Sequence, residues 1–194
     1  MVFFMAALES PICEFGRPAV DFALDDADGR RWTLEECRGP NGTLVMFICN
    51  HCPFVKAILD RLVRDTRELE AHGVRSVAIM PNDPSQYPDD SPDNMRRVAR
   101  ERGFTFPYLI DVTQDVARAY GAVCTPDFFG YNADLELQYR GRLDASGRKP
   151  APPDAKRELF DAMVGIAQTG RGPAEQAQSI GCSIKWSELP GRED

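Results

Sequence analysis

Apolar and polar positions alternate with a period of two along Val20-Asp21-Phe22-Ala23-Leu24 and again along Arg31-Trp32-Thr33-Leu34, with a turn-forming run from Asp25 to Gly29 between them. This spacing predicts a hairpin near the start of the chain. Glu35 to Arg38 reads as one helical turn, closed by Gly39-Pro40-Asn41-Gly42. From Thr43 to Cys49 the run is apolar on both faces, as a strand is when helices cover both sides of its sheet. At Pro53 the period changes to three and four: Phe54, Val55, Ile58, Leu59, Leu62, Val63 and Leu69 recur on one face until Gly73 ends the helix. Proline is favoured at the first helical position, which puts Cys52 at or beside the N-cap.

Val74 to Met80 predicts a second buried strand. The polar loop that follows, Pro81 to Pro92, is long for a connection in a compact domain, and such loops often carry function. Asp93 to Arg102 reads as a helix with Gly103 after it, and Phe106 to Ile110 as a third strand. Thr113-Gln114-Asp115 can cap a helix from Val116 to Tyr120, ended by Gly121. Asp127 to Tyr131 and Leu135 to Arg140 pair across a turn at Asn132-Ala133-Asp134, and Phe128, Phe129 and Tyr131 are read as core. A last helix is expected from about Asp154 to Gln168. The tail carries a small apolar cluster at Ile180 to Trp186, and residues 1–17 show little pattern. Strands alternating with helices, then a hairpin and a final helix, predict an α/β sandwich with a mixed central sheet flanked by helices and right-handed crossovers. The 194 residues are expected to form a single domain, residues 1–194, with its core at about 15–168 and a C-terminal tail at 169–194.

Composition adds little to this picture: 43% hydrophobic and 27% charged residues are ordinary for a globular protein. The net charge of -7 matters more, because acidic residues spread along the chain repel a phosphate backbone. Neither nucleic acid nor an anionic membrane is an expected partner. Val2 to Leu8 is apolar but has no basic residue before it, so it is read as a packing or frayed end rather than a signal segment. No apolar run approaches the roughly 18 residues of a membrane span. Six cysteines, at 13, 37, 49, 52, 124 and 182, are spaced too widely for a small secreted disulfide framework. A cytoplasmic setting is expected, and there a close cysteine pair is redox-active or metal-binding rather than a staple.

That pair is Cys49-Asn50-His51-Cys52, lying between the predicted central strand and the predicted helix. A thiol attacks as thiolate, and the unpaired N–H groups at a helix N-terminus favour that form. A second thiol one turn away can resolve the mixed disulfide. His51, when protonated, would help to hold the thiolate ionised. The plain alternative is a pair of small buried residues at a strand end, and the placement between strand and helix weighs against it. Cys13 and Cys37 are read as packing residues. Cys124 is either core or a redox partner, and Cys182 is read as a packing residue, with a resolving thiol carried on a mobile tail as its alternative. His72 is read as a favourable charge at a helix C-terminus.

Phe47 to Lys56 resembles the active-site segment of the thioredoxin-like superfamily, and more closely that of the peroxiredoxin-like AhpC/TSA redoxins. Gly16 to Leu24 is similar to the opening of those redoxins, and Thr125-Pro126 to the cis-proline loop of thioredoxins. The resemblance implies a thioredoxin-like fold and a thiol–disulfide oxidoreductase acting on protein or small-molecule disulfides or peroxides, with a thiol electron donor and no cofactor. With Phe47 in register with the strand phenylalanine of thioredoxins, their first cysteine falls on Cys52 and their second on Val55. Cys52 is then the nucleophile, and Cys49 or Cys124 its partner. In the other register Cys49 attacks and Cys52 resolves. Two departures stand out. The proline and hydroxyl that precede a peroxidatic cysteine are replaced by Val45 and Cys49, and Met46 stands where thioredoxins bury an aspartate. A thiol-dependent peroxidase is the second reading. The third is a Cu- or Zn-binding module using Cys49, His51 and Cys52, although the second cysteine of the copper carriers would fall on Lys56.

Overall fold

The structure, a computed structural model, describes residues 7–85 and 87–187. Most of the apolar run at Val2 to Leu8 lies outside the described residues. In chain order the elements are β1 (Ala7–Glu9), β2 (Ala23–Asp26), β3 (Arg31–Thr33), α1 (Leu34–Cys37), β4 (Gly42–Phe47), α2 (Pro53–Leu69), β5 (Val74–Met80), α3 (Pro92–Arg102), β6 (Tyr108–Ile110), α4 (Asp115–Tyr120), β7 (Cys124–Thr125), β8 (Asp127–Asn132), β9 (Leu137–Gly141), α5 (Glu158–Thr169) and β10 (Ile180–Ser183). Seven strands form a mixed sheet in the order β3-β2-β6-β5-β4-β8-β9, and a second sheet runs β1-β10-β7.

The central strand is β4, parallel to β5 and antiparallel to β8. All six of its residues are buried. Leu44 and Met46 pack with α2 and α5 on one face, whereas Val45 and Phe47 pack with Tyr120 of α4 and Phe129 on the other. Two covered faces are why this stretch does not alternate. On α2 the predicted stripe is the buried one: Val55, Ile58, Leu59, Leu62, Val63 and Leu69. Phe47, Tyr120 and Phe129 meet edge to face at centroid distances of 5.5–5.7 Å, a geometry that adds to burial. Gly130 lets α5 approach, since a Cβ there would run into Met163 and Tyr139.

The structure departs from the sequence reading in three places. Helix α5 starts at Glu158, not near Asp154. Arg157 reaches across to Asp65 at 2.6 Å and Glu68 at 2.7 Å, with a non-helical backbone (φ -88°, ψ 69°), while Ala155 closes a turn onto Pro152. The first hairpin strand is Ala23–Asp26, two to three residues later than the alternation suggested. The tail is not an appendage: β10 pairs with β1 at Ala7↔Cys182 and with β7 at Cys182↔Thr125. All three residues of β1 are exposed, so that strand leaves no apolar period to read.

Candidate active site

Strand β4 ends where the chain turns from sheet to helix, and Ile48 to Cys52 form that turn. Cys52 is the N-cap residue of α2, with Pro53 at the first helical position; its backbone is extended (φ -66°, ψ 122°) and its carbonyl accepts from Lys56 N at 2.9 Å. The Thr125–Pro126 bond is cis. This loop meets both thiols of the motif: Cys52 Sγ lies 3.1 Å from the Thr125 carbonyl oxygen, and Cys49 Sγ lies 3.3 Å from the Thr125 hydroxyl. Cys49 and Cys52 are both buried, Cys52 with no exposed surface.

The pairing Cys182↔Thr125 brings a third cysteine to this point. Cys182 and Cys49 both hydrogen-bond to Cys52, and together they hold its thiol far below the ordinary range, the Cys182 donor contributing most. Backbone N–H groups of Val55, in the first turn of α2, and of Cys182 add smaller support. Burial opposes ionisation, and so does the Thr125 carbonyl, a contact that suits the thiol and repels the thiolate. Two charge-accepting thiol donors outweigh these. The donors move the other way: desolvation pushes Cys49 well above the usual thiol value, and donation to Cys52 does the same for Cys182. Gly181 permits the close approach of β10, because a Cβ at that position would collide with the Thr125 carbonyl.

His51 is engaged by Asp90 and Tyr87. Its Nδ1 lies 2.6 Å from Asp90 Oδ2, and its ring stacks on Tyr87 at 4.3 Å and 18°. The fully buried Asp90 carboxylate also accepts from the backbone N–H of Asn50 at 2.7 Å and of His51 at 3.1 Å, and from Asn82 Nδ2 at 3.1 Å. Asn82 in turn accepts from Lys185 N at 2.9 Å. Neither Asp90 nor Asn82 stands out in the sequence. Both lie in the long loop after β5 that its length alone had marked.

Of the residues singled out from sequence, Cys49, Cys52 and the Thr125-Pro126 loop form one cluster, with His51 at its edge. Cys124 points elsewhere, 3.6 Å from the Pro126 carbonyl oxygen, and burial raises its thiol. Cys182 joins the cluster instead, whereas its sequence context suggested packing. Cys13 and Cys37 are remote; desolvation pushes them up to about 11 and about 12.

A metal was the third possibility for this motif. Cys49 Sγ, a His51 ring nitrogen and an Asp90 carboxylate oxygen lie within 4.8 Å of one another, a set that includes one soft ligand. Cys52, the third ligand expected from the sequence, is not in that group, and Asp90 takes its place. The Asp90 oxygens already accept two hydrogen bonds each, one of them at His51 Nδ1 itself.

A model described as the AhpC/TSA family matches residues 15–145. Among solved structures, an uncharacterized conserved protein from Geobacillus kaustophilus is 46% identical, with a TM-score of 0.89 over 96% of this chain and 100% of that one. A hypothetical protein from Sinorhizobium meliloti 1021 is 37% identical, with a TM-score of 0.85 over 93% of this chain and 99% of the other. The thioredoxin domain of a thiol-disulfide oxidoreductase from Bacteroides vulgatus is 16% identical, with a TM-score of 0.54 over 65% and 86% of the two chains, a likeness of fold. None of the curated proteins matches the chain.

Proposed function

The chain belongs to the AhpC/TSA family and has a thioredoxin-like fold, and from that premise we propose that it is a thiol–disulfide oxidoreductase with Cys52 as the attacking thiolate. The observation that carries this reading is the position of Cys52 Sγ: at the start of α2, 3.1 Å from the Thr125 carbonyl oxygen, between two thiol donors. The Cys52 thiolate attacks a sulfur of a substrate disulfide, forms a mixed disulfide and expels one substrate thiolate. A second cysteine of this chain then attacks the Cys52 sulfur and expels the other. A thiol donor reduces the resulting intramolecular disulfide. Protein or small-molecule disulfides are the substrate class, and the cytosol is the setting we assign. Among the described residues no helix is long and apolar enough to cross a membrane.

Peroxide is the second substrate class, reduced at the same sulfur through a sulfenic acid. The groups around Cys52 favour disulfide, since its donors are thiols, where a peroxidase of the resembling type would place a hydroxyl at Cys49.

The pH profile of alkylation tests the reading. Cys52 has its pKa depressed, so it stays thiolate well below the value of about 8.5 of a free cysteine. Iodoacetamide labelling of the reduced protein, quantified peptide by peptide, is expected to stay constant at Cys52 from about pH 8.5 to below about pH 6. Labelling of Cys13 should fall roughly tenfold per unit over the same range. A Cys52 profile that tracks Cys13 overturns the assignment.

A further inference from the structure

The second half of the proposed reaction raises a difficulty that the cluster itself answers. Cys49 is buried beside the nucleophile and is held as a neutral thiol. A thiol does not attack a disulfide; its proton has to leave first. The aspartate expected from the fold's resemblance is absent, because Met46 occupies that position and lies in the apolar core.

His51 supplies a candidate base. Its side chain is only 10% exposed, and its Nε2 is buried with no hydrogen-bond partner. A buried polar nitrogen without a partner is rare and calls for an explanation. A carboxylate 2.6 Å from Nδ1 holds a proton on that nitrogen, so in the neutral ring the lone pair is the one on Nε2. A ring nitrogen of His51 lies within 4.8 Å of Cys49 Sγ, and a general base acts at hydrogen-bond reach or through one water. Cys49, His51 and Asp90 are thus grouped at one point, the residue types that together activate a weak nucleophile elsewhere.

We propose that Cys49 is the resolving thiol, that His51 Nε2 is the base that takes its proton, and that Asp90 is the positioning residue that holds His51 in the required tautomer. This rests on Cys52 as the first nucleophile. In the step, the Cys49 S–H proton passes to Nε2, and the Cys49 sulfur attacks the Cys52 sulfur of the mixed disulfide. A Cys49–Cys52 bond forms, the bond to the substrate sulfur breaks, and the substrate leaves as thiolate with its electron pair. The imidazolium so formed is stabilised by the Asp90 carboxylate. Cys182 keeps its role as a hydrogen-bond donor to Cys52.

Dithiobis(nitrobenzoate) separates the two halves, because each releases one coloured thionitrobenzoate. The experiment uses one equivalent of reagent on the reduced protein in a Cys13→Ser background, since Cys13 is the one partly exposed cysteine. The parent protein is expected to give two phases. Cys49→Ser should keep the first and lose the second, with the mixed disulfide at Cys52 seen by mass spectrometry. His51→Gln should leave the first phase within about twofold and slow the second by about 10²- to 10⁴-fold. Asp90→Asn keeps a carbonyl oxygen for the backbone N–H groups of Asn50 and His51, but it presents an amide to Nδ1 and forces the other tautomer. It should slow the second phase by about tenfold or more. A purely structural role for Asp90 would slow both phases together, which overturns the proposal. So would a second phase that persists in Cys49→Ser, since Cys182 would then resolve, or one unchanged in both His51→Gln and Asp90→Asn. Absence of the first phase in the parent protein would instead overturn Cys52 as nucleophile.

Discussion

Replacing Cys52 with serine is expected to reduce disulfide turnover on the order of 10⁴-fold or more, to the background rate. The serine hydroxyl fits the same space, so the fold should hold. What it loses is ionisation: the two thiol donors and the backbone N–H groups that pull the Cys52 thiol down cannot bring a hydroxyl into the range where it is an anion at neutral pH. Cys49→Ser and Cys182→Ser serve as comparisons in a turnover assay with a dithiol as reductant. Each exchanges a thiol donor to Cys52 for a hydroxyl donor while leaving its sulfur in place, so each should retain the first chemical step. A Cys52→Ser protein with turnover equal to the parent would end the proposed function.

The second large effect concerns stability. Asp127 follows the cis bond directly, and its Oδ2 accepts from Arg140 Nη2 at 2.9 Å, with the two side chains 0% and 3% exposed. Arg140 also donates to the Gly121 carbonyl at 2.7 Å and lies over the Phe129 ring. The pair is incompletely satisfied: Asp127 Oδ1 and Arg140 Nε have no partner. Burial pushes the Asp127 carboxyl up to about 6, against the pull of Arg140. Removing one member leaves an uncompensated buried charge, which costs about 3–5 kcal/mol. Asp127→Asn is therefore expected to lower the melting temperature by about 10 °C. The parent protein carries a pH signature of the same group. A carboxyl whose folded pKa lies above its unfolded value binds more protons folded than unfolded, so its contribution to stability falls as pH rises from about 4 to about 6. Denaturant melts across that window should show this component in the parent and lose it in Asp127→Asn. If the variant melts within about 2 °C of the parent, the ion pair does not anchor the loop.

Much of the fold is written locally. The unbroken apolar run of β4 and the three-four spacing of α2 each reflect burial against immediate neighbours, and Pro53 alone places Cys52 at a helix start. What could not be read depends on partners distant in sequence. Cys182 reaches Cys52 through a strand pairing across 57 positions of chain (Cys182↔Thr125), and Gly181-Cys182 shows no period that announces it. Asp90 sits in Asp89-Asp90-Ser91-Pro92, which has the composition of a solvated turn; only the folded loop shows four hydrogen bonds converging on it. Helix α5 starts late because Arg157 is drawn to Asp65 and Glu68, 92 and 89 residues before it, a pull that no propensity encodes.

Enclosure of the Cys52 sulfur has a consequence for its durability. An exposed thiolate of such acidity is vulnerable to successive oxidation, from the reversible sulfenic acid to sulfinic and sulfonic acids that no thiol reverses. Here the Cys52 sulfur has no exposed surface, so an oxidant reaches it only on local opening, and a sulfenic acid would form beside the thiols of Cys49 and Cys182. Condensation with either neighbour needs no further encounter, whereas a second oxidation needs another opening. On the proposed function, burial of the Cys52 sulfur is therefore expected to favour a disulfide over sulfinic or sulfonic acid when the protein is titrated with peroxide.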